Sequence, residues 1–112
     1  MLDSMQGKKQ KDKKMDYWHL GQMYACDNDY ATAIIYLKKS TNMGGRLMDR
    51  EWRLYYKGTL AFLKKDKMKL KTCHTRLWGK HSSYYEKNAC ALKGLYENFD
   101  KPYREAYGLP CK

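Results

Sequence analysis

Proline is nearly missing from this chain. Its 112 residues hold two, Pro102 and Pro110. That argues against a sandwich with many tight turns and for long helices. No run of about 18 apolar residues occurs, so no segment is fit to span a membrane as a helix. The N-terminal charges have no apolar run behind them, so no secretory signal is expected. Cys26, Cys73, Cys90 and Cys111 are widely separated, no C-x-x-C occurs, and His19, His74 and His81 are scattered. Reduced, mostly buried thiols in a cytoplasmic protein are the expectation, although the count is compatible with two disulfides.

Catalytic signatures are missing too. There is no G-x-G-x-x-G, Walker loop, H-E-x-x-H or G-x-S-x-G. Cys73 and His74 are adjacent, so on a helix they point about 100° apart and form no nucleophile–base pair. His19 and Cys26 share a helical face, but turn and core roles explain them better than metal ligation. Asp27, Asp29, Asp49, Glu51 and Glu86 read as caps and surface charges rather than a paired acid and base. Trp18, Trp52 and Trp78 have faces on which bases stack, yet a Trp on an apolar helix face is usually core. The expectation is a non-enzyme without cofactor or metal.

What is present is tyrosine, 11 residues of it, and helical periodicity. Tyr17, Leu20, Gly21 and Tyr24 recur at the spacing of one helix face. Cys26-Asp27-Asn28-Asp29 is a polar turn, and Asp29 suits the N-cap of a second helix. Tyr30, Ala33, Ile34 and Leu37 form that helix's face. Two helices joined so tightly pack antiparallel. Gly21 and Ala33 let the backbones approach, while the larger side chains fill the space around the crossing.

These residues, over 17–41, resemble one tetratricopeptide repeat, carried by Tyr17, Leu20, Gly21, Tyr24, Tyr30, Ala33 and Leu37. The rest of the chain continues the theme. Asn42-Met43-Gly44-Gly45 breaks the first pair. A long helix is expected from about Arg46 to Lys65, with Met48, Trp52, Tyr55, Thr59 and Phe62 on one face. Lys65-Asp66 turns the chain. Lys67 to Trp78 is its partner, with Leu70, Cys73 and Leu77 inward and Gly79 as the stop. No small residue is placed here as Ala33 is, so this pair departs from the repeat pattern. Ser83 and Glu86 have capping-box spacing. Tyr85, Ala89, Leu92, Tyr96 and Phe99 then mark an inner face. Pro102, Tyr103, Ala106 and Tyr107 follow, and Gly108 and Pro110 end the last helix. Gly94, Tyr96, Tyr103 and Ala106 echo the first pair with a one-residue offset. The expected fold is therefore all-α: about six antiparallel helices as three stacked hairpins with a period of roughly 35 residues. This repeat domain would span 15–112. Residues 1–14, with five lysines between Lys8 and Lys14, are expected to be a disordered basic arm or linker. The polar capping helix that usually closes such an array is missing, so the end face would be exposed, paired with another copy as a homodimer, or continued in a longer chain.

Charge is uneven. The formal net charge is +11, and residues 46–80 hold 11 Lys and Arg against three acids. Arg46, Arg50, Arg53, Lys57 and Lys64 fall within about 40° of one line on the helix opposite its apolar face. A solvated polar back is the plain explanation for such a row. The resemblance implies more: in arrays of this kind the first helix of each pair lines a concave groove, and Arg46, Arg50, Arg53 and Lys57 would face it. Arginine there can grip carboxylates through two parallel hydrogen bonds. The expected function is a protein–protein interaction module, an adaptor or regulator that binds an acidic protein or peptide through a basic groove. A small immunity or inhibitor protein that neutralises an acidic toxin or enzyme is an alternative. A non-specific nucleic-acid binder is another, weakened by the lack of a recognition motif. Reversing Arg50 and Arg53 to Glu is expected to abolish binding without loss of helix.

Overall fold

A computed structural model of the chain describes the backbone of residues 10–42 and 50–108, and the side chains of 17–40 and 50–107. Every regular element among the described residues is helical. They are α1 (Gln10–Cys26), α2 (Tyr30–Asn42), α3 (Arg50–Leu63), α4 (Lys67–Gly79), a 3-10 turn (Ser83–Tyr85), α5 (Glu86–Glu97) and α6 (Tyr103–Gly108). The protein is all-α. By its contacts the chain divides into two compact units, residues 1–48 and 49–112, a finer division than one domain over 15–112. Helix α1 begins at Gln10, inside the stretch expected to be a disordered arm. Residues 1–9 lie outside the described ones, as do the Gly44-Gly45 break and Arg46.

The first unit is a helical hairpin of α1 and α2. Its apolar stripe is centred one residue away from the predicted one. Trp18, Gly21 and Ala25 are buried, while Tyr17, Leu20 and Tyr24 are half-buried. Tyr36 of α2 meets Tyr17 and Tyr24, stacking on Tyr24 with the ring centroids 5.5 Å apart. Partial exposure suits tyrosine, because its hydroxyl stays wet while the ring packs. Ala33, Leu37 and Ser40 form the buried face of α2. A Cβ added to Gly21 would lie 2.6 Å from Leu37 Cδ2 and 3.1 Å from the Ala33 carbonyl oxygen. Gly21 therefore sits at the closest approach of the two helices.

In the second unit α3 packs on both α4 and α5, α4 packs on α5, and α5 packs on α6. Double contact explains why the second half of α3 is buried nearly all round, from Gly58 to Leu63, instead of along one stripe. Gly58 marks its crossing: an added Cβ would lie 2.7 Å from Leu92 Cδ2 of α5 and 3.3 Å from Cys73 Cβ of α4. Leu70, Cys73 and Leu77 are the buried face of α4, as their spacing predicts. Ala89, Leu92 and Leu95 bury one face of α5, and Tyr103 and Ala106 seat α6. Phe62, Phe99 and Tyr103 meet edge to face.

Two inter-helix turns repeat the same device. After α1, Asp29 N–H donates to the Tyr24 carbonyl at 2.9 Å and Asn28 N–H to the Ala25 carbonyl at 3.0 Å. After α3, Asp66 N–H donates to the Ala61 carbonyl at 2.8 Å and Lys65 N–H to the Phe62 carbonyl at 3.1 Å. These are Schellman ends, and the residues that carry the left-handed backbone are Asn28 (φ 66°) and Lys65 (φ 63°). In each turn the next residue is an Asp whose carboxylate caps the following helix: Thr32 N–H donates to Asp29 Oδ1 and Lys69 N–H to Asp66 Oδ1. One aspartate thus closes one helix with its amide and opens the next with its side chain. The third turn keeps the register but not the residue. Pro102 stands at the cap position, and its carbonyl accepts from Ala106 N–H as those of Asp29 and Asp66 accept from Ala33 and Leu70. Gly94 then meets the Ala106 carbonyl oxygen at 3.0 Å, the counterpart of Gly21 against Ala33. Gly21, Gly58 and Gly94 are thus 37 and 36 residues apart, as are Asp29, Asp66 and Pro102.

The capping box expected at Ser83 and Glu86 is not formed. The chain enters α5 through the 3-10 turn, and neither that turn nor α5 has a side-chain cap. Glu51 of α3 holds the entry instead, accepting from Ser82 N–H and, at 3.0 Å, from the Ser82 hydroxyl.

Candidate binding cleft

The α3–α4 hairpin creates a cleft of about 320 Å³. Arg50, Arg53 and Lys57 line it from α3, and Lys69 and Arg76 line it from α4, with Leu54, Thr72 and Cys73 completing the wall. The geometry follows from helical spacing. Arg50, Arg53 and Lys57 step by three and four residues, which keeps them on one face of α3. Lys69, Thr72 and Arg76 step by three and four on α4. The tight turn at residues 64–66 makes the helices antiparallel, so Arg50 comes opposite the last turn of α4 and Lys57 comes level with its middle, near Cys73. The first of these juxtapositions is tied down: Arg50 Nη1 donates to the Lys80 carbonyl at 3.2 Å and Nη2 to the Arg76 carbonyl at 3.3 Å. A cation on the last carbonyls of a helix satisfies them and complements the helix dipole. Lys80 itself is extended, with φ −155° and ψ 103°, and ends α4 without a left-handed residue at Gly79.

Of the four residues expected to form a basic face, Arg50, Arg53 and Lys57 come together here, and Arg46 lies outside the described residues. Lys64 follows the end of α3 and does not line the cleft. Arg50 is tied to the backbone of α4, so its reversal to Glu would disturb the helix end as well as the charge, against the expectation of a purely superficial change. Lys69 and Arg76 of α4 join the cleft without belonging to the basic row expected on α3. Their seven-residue separation, equal to that of Arg50 and Lys57, was the available signal.

Cys73 is the buried floor of the cleft and a free thiol. Burial pushes its pKa up, and the positive charges of Lys69, Lys57 and Arg76 oppose this more weakly. The thiol is therefore protonated at neutral pH and a poor nucleophile. Among the described residues Cys26 is also a free thiol, whereas Cys90 is disulfide-bonded, in place of the reduced thiol expected there. No family model, curated protein or solved structure matches the chain. The chemistry of the cleft must speak for itself.

Two other clusters are built differently. His74 of α4 stacks on Tyr96 of α5 at 5.3 Å, and Trp78 lies between His74 and Lys93 Nζ. His74 Nδ1 is buried without a hydrogen-bond partner. Burial lowers its pKa; Glu97 opposes that shift and Lys93 adds to it. At the other end of the unit Lys65 Nζ lies 5.0 Å from the rings of both Phe62 and Phe99. Neither cluster lines the cleft. Among the described residues the α3–α4 cleft combines open volume with convergent charge. No helix there is long and apolar enough to cross a membrane.

Proposed function

We propose that the chain is a helical-repeat interaction module of tetratricopeptide type, which captures an acidic segment of a partner protein at the α3–α4 face. The observation that carries this reading is the cleft: five cations from two helices converge on it, and no acidic residue lines it. Gathering like charges opposes folding, so their convergence is better accounted for by an anionic ligand than by solubility. The repeat reading draws support from the glycines and turns that recur at 37 and 36 residues. The contact of α3 with α5 as well as α4 is of the kind that adjacent hairpins make in such arrays.

The test is capture of partners from native lysate by the full chain, with and without nuclease, at low and about threefold higher salt. Wild-type protein should retain a discrete protein band after nuclease treatment. The double reversal Arg53→Glu/Lys57→Glu, which spares the backbone bonds of Arg50, should lose that band while keeping its far-UV circular dichroism. Material lost to nuclease and salt together would assign the charge to nucleic acid and end the adaptor reading.

A further inference from the structure

The cleft has more positive charge than one or two carboxylates require. It presents Arg50, Arg53 and Lys57 from one wall and Lys69 and Arg76 from the other, around about 320 Å³. A carboxylate is planar, singly charged and satisfied by one guanidinium in its own plane. A phosphate monoester is different. It carries close to two charges near neutral pH, and its three terminal oxygens accept from several directions. Donors that reach in from both walls match that oxygen set better than they match a flat carboxylate.

The volume points the same way. A helix laid into a groove needs a long apolar trough. This cleft is short, spanning about 10 Å along each helix between its outer cations, and Leu54 is its one aliphatic wall residue. It is a recess for a compact, highly charged group. Part of the Arg50 guanidinium is already engaged by the Arg76 and Lys80 carbonyls. That engagement fixes one side chain at the rim before any ligand arrives, which lowers the entropy lost on binding.

We infer that the cleft is a phosphate-monoester site, and that the acidic segment it captures is recognised through a phosphorylated side chain held between Arg53 and Lys57 of α3 and Lys69 and Arg76 of α4. The inference rests on the interaction-module reading and narrows its ligand. Cys73 on the floor supplies a local reporter through its amide signal, which a group bound above it would shift, while Cys26 in the other unit serves as reference.

The first experiment titrates the full chain with N-acetyl phosphoserine amide, N-acetyl glutamate amide and inorganic phosphate at constant ionic strength. It follows amide shifts of α3 and α4 by NMR, with Cys73 as the local probe and Cys26 as the reference. Phosphoserine amide should bind about tenfold or more tightly than glutamate amide, the effect of one further charge-assisted hydrogen bond. It should shift the amide signal of Cys73 and leave that of Cys26 unchanged. Arg53→Gln/Lys57→Gln, which removes charge without reversing it, should abolish both effects with the circular dichroism unaltered. Inorganic phosphate binding as well as phosphoserine amide would still support the phosphate chemistry and assign recognition to the free ion rather than the modified side chain. Equal binding of glutamate amide, or no shift at α3 and α4, would overturn the inference. The second experiment treats the lysate with phosphatase before capture. Loss of the partner band supports the inference. A band that survives phosphatase but is lost with Arg53→Glu/Lys57→Glu overturns it and leaves the interaction-module reading standing.

Discussion

Two glycines take their meaning from what stands opposite them. A Cβ on Gly21 would fall 2.6 Å from Leu37 Cδ2, and one on Gly58 would fall 2.7 Å from Leu92 Cδ2; both leucines are fully buried. Neither neighbour can move into solvent to make room. Gly21→Ala and Gly58→Ala should each lower stability by about 1–3 kcal/mol, read from urea denaturation midpoints. Gly79 has nothing within 4 Å of its virtual Cβ. Gly79→Ala should instead be neutral or stabilising by up to about 1 kcal/mol through helix propensity alone. His74 makes a second prediction. Its pKa is lowered in the folded protein, so between that value and the ordinary histidine value the unfolded chain binds more protons. Stability should be full above about pH 7 and fall as the pH drops through about 6.5, levelling off below the folded pKa. His74→Phe should flatten that part of the profile. Equal slopes in wild type and variant would show that His74 is not the group responsible.

At the scale of the element, the turns carry the most information. The polar stretch Asp27-Asn28-Asp29 announces its turn in sequence, and Asp29 was readable as a cap. Lys65-Asp66 is the same turn in plainer residues, with a lysine where a left-handed backbone would favour Asn or Gly. The inward spacing of Leu70, Cys73 and Leu77 needed only periodicity. The entry to α5 did not, because Ser83 and Glu86 have a capping-box spacing that the chain leaves unused in favour of Glu51, 31 residues before Ser82. Glu51→Ala should cost about 1 kcal/mol or more by removing both bonds to Ser82. Hydrogen exchange should quicken at residues 82–86 and leave α1 and α2 unaffected.

For the whole molecule, the division at residues 48 and 49 separates two interiors of unequal depth. The second unit buries residues from four helices, among them Phe62, Leu70, Leu77, Leu92, Leu95 and Tyr103. Among its described residues the first has one hairpin and a core centred on Trp18, Ala33 and Leu37. A fragment of residues 49–112 should therefore melt cooperatively by circular dichroism. A fragment of 1–48 should be far less helical, since a single helical pair of this size buries too little apolar surface to offset its chain entropy. A non-cooperative melt of 49–112 would contradict the view that its core is self-sufficient.

Helix content, the all-α class, the inward face of α4 and the basic row on α3 were all determined by local sequence. Each depends only on the 3.6-residue period and on caps within a few positions. Three features were decided by tertiary structure. Leu60, Ala61 and Leu63 are buried because α3 is sandwiched between α4 and α5, which periodicity within one helix cannot register. Gly58 acquires its importance from Leu92, 34 residues away. Lys69 and Arg76 join Arg50, Arg53 and Lys57 because a left-handed residue at position 65 folds α4 back against α3. A row of charges on one helix is a solvated face, and it becomes a cleft only when the antiparallel partner supplies the opposite wall.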